Sequence, residues 1–462
     1  MIQYILVFIA FLAAAVLYIY EGVLSLMATK LWLRTRGAPV ASAPHLPTDA
    51  ALPRMLLQVP LFNERFVVPE LLAALSELQY PKNKLLIQIL DDSTDDTPEV
   101  VNANLDKLIS RGFTVNHVRR QNRHGFKAGA LAAGMELDSS PFIAIFDADF
   151  LPQPDLLRQL YAGFDTPDVG MVQGGWAHIN GDENLATRLM SLAIDDHFSI
   201  EQQGRQDANA WIHFNGTAGI WRREAIETSG GWQSDCLTED LDLSFRAQAH
   251  GWKLKFMEDI KVPCLIPSVM SAIRAQQYRW TKGAAETAVK NVSSVFSKRS
   301  STIIKIVDFF HLFNFLMFPA MLIMCLSVAL VLAVGGPGYP GVYPVLILVL
   351  YPLLPLSLWP FCIAGWLRAP EDKHSTPTIV ALDAFLLLLM IVGLSVQNTI
   401  SVVDGLIGRK SSFVRTPKPP RGEVAASYAS AYRQKPPYGV MALECLVFLL
   451  MFAFLILSLI HI

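Results

Sequence analysis

The stretch Phe142-Ile-Ala-Ile-Phe-Asp-Ala-Asp149 joins a short apolar run to two closely spaced carboxylates. An apolar run of this length is typical of a strand that is buried on both faces in a parallel sheet. Three more such runs occur, at residues 56–60, 85–90 and 169–173. The segments between the runs have helical spacing and lie at 67–78, 99–110, 127–137 and 155–164. We therefore predict a doubly wound α/β domain, in which ligands lie beyond the carboxyl ends of the strands.

The composition of the chain indicates a membrane protein. Of its 462 residues, 52% are hydrophobic and 17% are charged, and the mean hydropathy is +0.36. These values lie on the membrane side of the range for globular proteins. A net charge of −2 leaves no basic excess that could neutralise phosphates, which argues against nucleic acid as a partner. The five cysteines have no metal or disulfide spacing and are expected to be reduced.

The distribution of basic residues predicts the topology. The apolar segment 1–20 carries no basic residue, whereas Lys30, Arg34 and Arg36 lie just after it. The positive-inside rule places the chain after this segment in the cytosol. We therefore predict an N-terminal transmembrane helix at 1–33, a linker at 34–53, a cytosolic domain at 54–298 and a C-terminal membrane region at 299–462. The protein is then a multi-pass protein of the cell membrane.

The C-terminal region contains three clear predicted spans, near 309–334, 344–367 and 440–460. The segment 379–407 is apolar but includes Asp383 and Asp404. The next loop, 408–439, carries seven basic residues and is expected to be cytosolic. Since a single crossing would export that loop, we predict that 379–407 is an interfacial or re-entrant helix.

Asp147 and Asp149 lie at the end of the apolar run 142–146. Alternate residues of an extended segment point the same way, so both carboxylates can hold one divalent cation. Mg²⁺ and Mn²⁺ take oxygen ligands and are usually shared with substrate phosphates. The pattern predicts a metal-bridged diphosphate site, and the alternative is a solvated turn with two acids.

Asp91 and Asp92 end the apolar run 85–90. A carboxylate there can accept hydrogen bonds from a nucleobase or a ribose. The alternative is helix capping, because Asp95 and Asp96 precede a helix that starts near Thr97. We assign Asp91 and Asp92 to ligand binding, and Asp95 and Asp96 to capping.

The segment Thr238-Glu239-Asp240 opens a predicted helix. Thr238 is a candidate N-cap, and an acid in the first turn is favourable there. Capping does not explain why Glu239, Asp240 and Asp242 crowd one turn. A general base must reach an acceptor hydroxyl, and Asp240 is the candidate.

The pentad Gln276-Gln-Tyr-Arg-Trp280 lies on a helix predicted at 269–290. Arg279 can pair with a diphosphate through two parallel hydrogen bonds. Trp280 offers a flat face on which a sugar ring can stack. The alternative is an Arg/Trp anchor at the membrane interface.

A further polar segment, His213-Phe-Asn-Gly-Thr217, precedes an apolar stretch. Asn215 and Thr217 could bind sugar hydroxyls, and Gly216 would allow close approach; the alternative is a β-turn. Lys127 is a candidate phosphate contact, and the alternative is an exposed helix start.

Taken in order, these motifs resemble the signature of the membrane-embedded family-2 glycosyltransferases. That family includes cellulose, mannan, hyaluronan and chitin synthases and ceramide glucosyltransferases. Its signature is Asp, Asp-x-Asp, (Thr/Glu)-Glu-Asp and Gln-x-x-Arg-Trp. The chain is most similar to cellulose-synthase-like mannan and glucomannan synthases, on Gln58-Val-Pro-Leu-Phe-Asn-Glu64, Gln88-Ile-Leu-Asp-Asp-Ser-Thr-Asp95 and His213-Phe-Asn-Gly-Thr-Ala-Gly-Ile-Trp221.

The resemblance implies a GT-A-type cytosolic domain between transmembrane helices, and it implies roles for the matching residues. Asp92 would contact the nucleobase, and Asp147 and Asp149 would contact the diphosphate and the metal ion (Mg²⁺ or Mn²⁺). Asp240 would be the base. Gln276, Arg279 and Trp280 would bind the diphosphate and the acceptor. We group Asn215, Gly216, Thr217 and Glu239 with the acceptor site.

Phe413-Val-Arg-Thr-Pro-Lys418 resembles the gating loop Phe-x-Val-Thr-x-Lys of cellulose synthase. Arg415 stands where that family has Val, so a gating role is carried over only to Phe413, Thr416 and Lys418.

The expected reaction is inverting transfer of a hexose from UDP-glucose or GDP-mannose. The acceptor is a growing β-linked polysaccharide that is secreted through the spans, with possible secretion partner proteins. Two alternatives stay open: a glycolipid synthase acting on ceramide or diacylglycerol, and a non-catalytic receptor or transporter.

Overall fold

The computed structural model describes residues 2–35, 46–297, 300–334, 353–368, 376–410 and 437–460. Its central feature is a seven-stranded sheet with the order β3-β2-β1-β4-β6-β5-β7. The strands are β1 Met55–Leu61, β2 Leu85–Asp91, β3 Thr114–Val118, β4 Phe142–Ile145, β5 Val169–His178, β6 Gly219–Arg222 and β7 Lys253–Cys264. All four apolar runs of the sequence form strands of this sheet, as β1, β2, β4 and β5.

Strands β3, β2, β1 and β4 run parallel to one another. Their side chains alternate between the two faces of the sheet. Leu57 and Val59 of β1 pack in the core on one face, while Leu56 and Leu90 pack in the core on the other. Because both faces are covered, β1, β2 and β4 are buried almost throughout, which explains their continuous apolar sequences.

One strand that the sequence did not predict has the opposite direction. β6 enters the sheet between β4 and β5 and runs antiparallel to both. It has only four residues, Gly219–Arg222, which are too few to show a strand period. The α/β class is confirmed, but the sheet is mixed.

Sixteen α-helices surround the sheet or extend from it in the described part of the chain. They are α1 Ile2–Thr35, α2 Val68–Ser76, α3 Thr97–Asn104, α4 Asp106–Ile109, α5 Phe126–Glu136, α6 Leu156–Tyr161, α7 Leu185–Asp196, α8 Gln203–Asp207, α9 Arg223–Thr228, α10 Glu239–Ala249, α11 Met270–Ser297, α12 Thr302–Leu312, α13 Met317–Val334, α14 Leu353–Arg368, α15 Pro377–Leu406 and α16 Tyr438–Ile460. A π-helix, His197–Gln202, joins α7 to α8. The single helix predicted at 99–110 is two short helices, α3 and α4.

Apolar helices lie at both ends of the sheet domain in sequence. Within the described residues, three of them are long and apolar enough to cross a membrane: Tyr4–Thr35, Asn314–Val331 and Pro377–Leu406. Two shorter apolar helices are Leu353–Leu367 and Tyr438–Leu450. The segment predicted as one span at 309–334 is divided, because α12 ends at Leu312 and a 3₁₀ turn, Asn314–Leu316, precedes α13. The domain limits expected from the sequence stay predictions.

Helix α15 covers the segment predicted to be interfacial or re-entrant, and it is continuous over 30 residues. Its polar side chains bind the neighbouring helices. Asp383 pairs with Arg188 of α7 at 2.9 Å, and the Gln397 amide donates to the backbone carbonyl of Arg274 on α11 at 2.8 Å. These contacts explain why an apolar helix carries polar residues, and the position of α15 relative to a membrane stays a prediction.

Candidate active site

A cavity of about 880 Å³ opens at the carboxyl ends of the parallel strands. Eleven of the candidate catalytic and binding residues line it: Asp92, Lys127, Asp147, Asp149, Asn215, Gly216, Glu239, Asp240, Gln276, Arg279 and Trp280. Asp91 and Thr217 lie behind its lining. Phe413, Thr416 and Lys418 lie outside the described residues. The tertiary structure therefore brings together motifs that are spread over nearly 190 positions of the sequence.

Asp147 and Asp149 lie just after β4 and are both partly exposed to the cavity. The Lys127 ammonium donates to Asp147 Oδ1 at 2.6 Å and to the Gly216 carbonyl at 2.9 Å. Burial alone would lower the pKa of Lys127, but Asp147 and Glu239 outweigh this effect and raise it. Lys127 is therefore a fixed cation beside the Asp147 carboxylate.

Thr217 is buried and forms a hydrogen bond with the backbone of Asp147. It is 1% exposed, and its hydroxyl accepts a hydrogen bond from the Asp147 backbone N–H at 2.9 Å. The expectation that Thr217 binds a sugar hydroxyl is not met by this geometry, because its oxygen is turned toward the end of β4.

The acid pair fits a divalent cation that is shared with a ligand. Among the described residues, no three His, Cys, Asp or Glu side chains form a closed metal site. Asp147 and Asp149 both line the cavity, so their carboxylate oxygens lie at a space large enough for phosphate oxygens and water. This is the donor set that Mg²⁺ and Mn²⁺ accept in nucleotide sites.

The two acids at the end of β2 have different surroundings. Asp92 lines the cavity, and Arg120 holds its carboxylate through Nε at 3.0 Å and Nη2 at 2.5 Å. Asp91 is 1% exposed and accepts hydrogen bonds from the Ser93 N–H at 2.9 Å and from His117 Nε2 at 3.0 Å. Burial raises the pKa of Asp91, but these hydrogen bonds outweigh it and lower the pKa overall.

The assignment of Asp91 to ligand binding is therefore corrected to a structural role in the turn after β2. The neighbouring acids agree with the capping prediction in part. Asp95 accepts from the Thr97 N–H at 3.0 Å at the start of α3, whereas Asp96 pairs with Arg65 at 2.8 Å.

Glu239 and Asp240 begin α10 and face the cavity together. Burial, with a further contribution from the neighbouring Glu239, raises the pKa of Asp240 to about 7. Burial also raises the pKa of Glu239, while Lys127 opposes that rise. Asp240 Oδ1 accepts from the Leu241 N–H at 2.8 Å, and Oδ2 lies beside Gly216. One of the Asp240 oxygens is therefore directed to the Gly216 side of the cavity.

The third acid of this turn has a structural explanation. Asp242 is fully buried and binds Arg246 at 2.8 Å, Asn291 at 2.9 Å and Lys290 at 3.1 Å. Thr238 occupies the N-cap position without a side-chain capping bond. Asp242 is thus a link between α10 and α11.

Helix α11 supplies the pentad. Gln276 is 4% exposed, and its buried Oε1 has no hydrogen-bond partner among the described residues. Burial lowers the pKa of Arg279, and Glu239 and Asp147 act in the opposite direction. Gly283 allows α11 to approach α10 closely, since a Cβ there would lie 2.6 Å from Thr238 Cγ2.

Asn215 lines the cavity but uses its side-chain amide internally. Its nitrogen lies 2.9 Å from His197 Nε2 and 3.1 Å from His213 Nε2, and its oxygen accepts from Gln202 at 2.9 Å. Three partners inside the protein thus hold this amide just before Gly216, and a contact of Asn215 with the acceptor stays a prediction.

Sequence reasoning missed several residues of the cavity wall. The Arg123 guanidinium lies over the Phe62 ring at 3.3 Å on the Asp92 side of the cavity. Gly408, Arg409 and Lys410 line the cavity from the end of α15. Arg123 stands only four residues before Lys127, so its position was a usable signal. Residues 408–410 carried no such signal, because they come after an apolar helix far along the chain.

Comparison with known proteins shows which family part of the chain matches and which proteins the chain resembles. Residues 142–367 match the family model described as glycosyl transferase family group 2. Probable glucomannan 4-beta-mannosyltransferase 7 of Oryza sativa subsp. japonica is 34% identical over 368 residues, covering 77% of this chain and 61% of that protein. Glucomannan 4-beta-mannosyltransferase 7 of Arabidopsis thaliana is 38% identical over 262 residues, covering 56% and 47% respectively. The chain thus spans about half to three fifths of the length of these relatives.

Among solved structures, a mannosyltransferase of Pyrobaculum calidifontis in complex with GDP-Man and Mn²⁺ has the same fold. The TM-score is 0.54 at 18% sequence identity, and the match covers 87% of this chain and all of that one. The GT-A-type fold expected from the sequence is confirmed. The chain therefore carries a domain of glycosyl transferase family group 2 and is related to plant glucomannan 4-beta-mannosyltransferases.

Proposed function

We propose that this protein is an inverting hexosyltransferase that moves a sugar from a nucleotide sugar to a growing β-linked polysaccharide. One observation carries the proposal: Asp240, with a pKa near 7, faces the same cavity as the Asp147/Asp149 pair and Arg279. A base, an oxygen-donor pair and a cation in one cavity are the groups that direct displacement of a nucleoside diphosphate requires.

In this mechanism Asp240 Oδ2 accepts the proton of the acceptor hydroxyl. The hydroxyl oxygen attacks the anomeric carbon from the face opposite the diphosphate, so an α-linked donor gives a β-linkage. Lys127 and Arg279 supply positive charge near the leaving group. Asp147 and Asp149 would hold Mg²⁺ or Mn²⁺, and the ion would supply positive charge against the negative charge that develops on the leaving diphosphate.

The donor and the acceptor are part of the same proposal. The names of the plant relatives support mannose as the transferred sugar. The structural neighbour with GDP-Man and Mn²⁺ makes this donor and this ion the first to test. The apolar helices support a site beside a membrane. The basic residues after the first of them support the cytosolic side, from which the growing chain would be secreted.

The test is to incubate the purified full chain with GDP-mannose or UDP-glucose, in the presence of Mg²⁺ or Mn²⁺, and to analyse the linkages of the product. We expect release of nucleoside diphosphate and a β-linked polymer. Sugar recovered only on lipid would replace the polysaccharide with a glycolipid product. Absence of nucleoside diphosphate release with both donors would contradict an enzymatic role.

A further inference from the structure

One wall of the cavity comes from the far end of α15, which belongs to the apolar part of the chain. Gly408, Arg409 and Lys410 come directly after that helix and line the cavity. The proposed mechanism assigns no role to these residues. Their position needs an explanation, because a helix of the predicted membrane region ends with two cations in a site built for an anion.

The cavity contains more acids than cations before a ligand enters. Its acidic lining residues are Glu64, Asp92, Asp147, Asp149, Asp235, Glu239, Asp240 and Glu286, and its basic ones are Arg123, Lys127, Arg279, Lys282, Arg409 and Lys410. Lys127 binds Asp147, and Arg409 Nη1 pairs with Asp404 at 3.3 Å. Lys410 is exposed and makes no ion pair with another described residue. A diphosphate that enters this cavity would find Lys410 available as a further cation.

The turn at the end of α15 directs these residues to the cavity. Gly408 has a φ of +66°, which a glycine adopts without strain. Its N–H donates to the Gly405 carbonyl at 3.1 Å, and the Arg409 N–H donates to the Asp404 carbonyl at 2.9 Å. This pair of hydrogen bonds is a Schellman motif, which ends the helix sharply. The chain after Gly408 therefore leaves the helix axis in a defined direction.

Two side chains of α11 fasten this turn to the helix that carries the pentad. The Tyr278 hydroxyl donates to Asp404 Oδ2 at 2.8 Å. Lys282 is 1% exposed, and its ammonium donates to the Arg409 backbone carbonyl at 2.5 Å. Gly405 lets the helices touch, since a Cβ there would lie 2.7 Å from the Lys282 carbonyl oxygen. Residues 408–410 are thus held against α11, close to the turn that carries Arg279.

We propose that Lys410 is a further contact for the diphosphate of the donor, and that Tyr278 and Lys282 are positioning residues that hold it at the cavity. The inference rests on the proposed function and adds a diphosphate contact supplied by the predicted membrane region. Tyr278 acts through Asp404 and the helix-terminal turn, so its effect on the ligand requires Lys410.

The experiment measures binding of GDP and UDP, and of guanosine and uridine, to the full chain by calorimetry with Mg²⁺ present. The variants are Lys410→Gln, Lys410→Arg, Tyr278→Phe and the double variant Tyr278→Phe/Lys410→Gln. Lys107→Gln, on the exposed surface of α4, is the matched control. We expect Lys410→Gln to weaken diphosphate binding about tenfold, as for loss of one charge-assisted contact. Nucleoside binding should not change, and Lys410→Arg should restore most of the loss.

Tyr278→Phe should weaken diphosphate binding by a smaller factor and add nothing in the Lys410→Gln background, because the two act on one contact. The inference is overturned if Lys410→Gln binds the diphosphate as the wild type does, or if it weakens nucleoside binding equally. A failure of the proposed function gives a different result: the wild-type protein would bind nucleoside diphosphate but transfer no sugar. Wild-type protein that binds neither diphosphate overturns both.

Discussion

The chemistry of the cavity depends on how one carboxylate differs from its neighbours. Asp240, Glu239 and Asp242 lie in the same helical turn. The Asp242 carboxylate, however, forms ion pairs and hydrogen bonds with residues of α10 and α11. Asp240 Oδ1 accepts from the Leu241 N–H, while Oδ2 accepts from no backbone N–H among the described residues. The pKa of Asp240 is about 7, because burial and Glu239 both disfavour its charge. A general base is most effective when its pKa lies near the working pH. This combination supports the proposal that Asp240 is the base.

Asp240→Asn should lower the rate of transfer by about 10²- to 10⁴-fold, because it removes the base and keeps the shape. Binding of the donor should be little affected, since the diphosphate contacts are untouched. Asp106→Asn, which changes an acid in the first turn of α4 outside the cavity, is the matched control and should be fully active. Steady-state rates and donor affinity measured on the same preparations test the assignment. Normal turnover by Asp240→Asn would remove Asp240 from the mechanism.

The raised pKa of Asp240 predicts how the rate depends on pH. A base acts in its deprotonated form, so the rate should rise with pH through about 7 and then level off. At lower pH the carboxyl is protonated and cannot accept the hydroxyl proton. The residual rate of Asp240→Asn should lack this rise. The prediction would be contradicted by a wild-type rate that does not change with pH. The range to measure extends about one and a half pH units to either side of this pKa.

At the scale of the elements, the site depends on close approach between the loop before β6 and the start of α10. Gly216 has a φ of +81°, and a Cβ there would lie 2.8 Å from Asp240 Oδ2 and 3.3 Å from Lys127 Nζ. The Gly216 carbonyl also accepts from Lys127. The loop therefore helps to set the positions of Asp240, the proposed base, and Lys127, the proposed diphosphate contact.

Gly216→Ala should reduce transfer strongly, because the methyl group displaces Asp240 or Lys127. Gly231→Ala is the matched control: Gly231 has a φ of +71°, but a Cβ there meets nothing within 4 Å. Both substitutions should cost about 1 kcal/mol or more of folding stability from backbone strain. Only Gly216→Ala should lose activity. Equal activity in the two variants, with thermal unfolding measured in parallel, would show that the close approach is not needed.

At the scale of the whole molecule, the apolar C-terminal helices are tied to the site. Helix α15 binds α7 through Asp383, α11 through Gln397 and Asp404, and the cavity through its terminal turn. Arg274 of α11 also forms two hydrogen bonds with Glu444 of α16, at 2.8 and 2.9 Å. A change in these helices should therefore reach the pentad directly.

The topology prediction can be tested at Ser411, just after the described turn. In a variant that lacks the five native cysteines, a cysteine at this position should resist membrane-impermeant thiol reagents in intact cells. It should react once the cells are permeabilised. A cysteine at Ser110, exposed in the sheet domain, is the cytosolic control. Labelling of the Ser411 position in intact cells would mean that α15 crosses the membrane completely.

The local sequence was sufficient to predict four of the strands and the acidic residues that follow them. A strand covered on both faces must be apolar along its length, so β1, β2, β4 and β5 could be read directly. Their carboxyl ends meet at one edge of the sheet, which is why Asp92 and Asp147 could be expected in one site. The four residues of β6 are too few to carry a period, and their direction depends on the path of the preceding chain.

Only the tertiary structure could separate Asp91 from Asp92. Successive residues of a strand point to opposite faces, so one of the pair had to turn away from the ligand, and the sequence does not say which. His117 on β3 forms a hydrogen bond with the Asp91 carboxylate, and Arg120 forms an ion pair with Asp92 at the cavity. Likewise, Lys410 reaches the site only because α15 packs on α11, a contact between segments more than 100 residues apart. Patterns of neighbouring residues determine which elements form, whereas packing between distant elements decides which side chains meet.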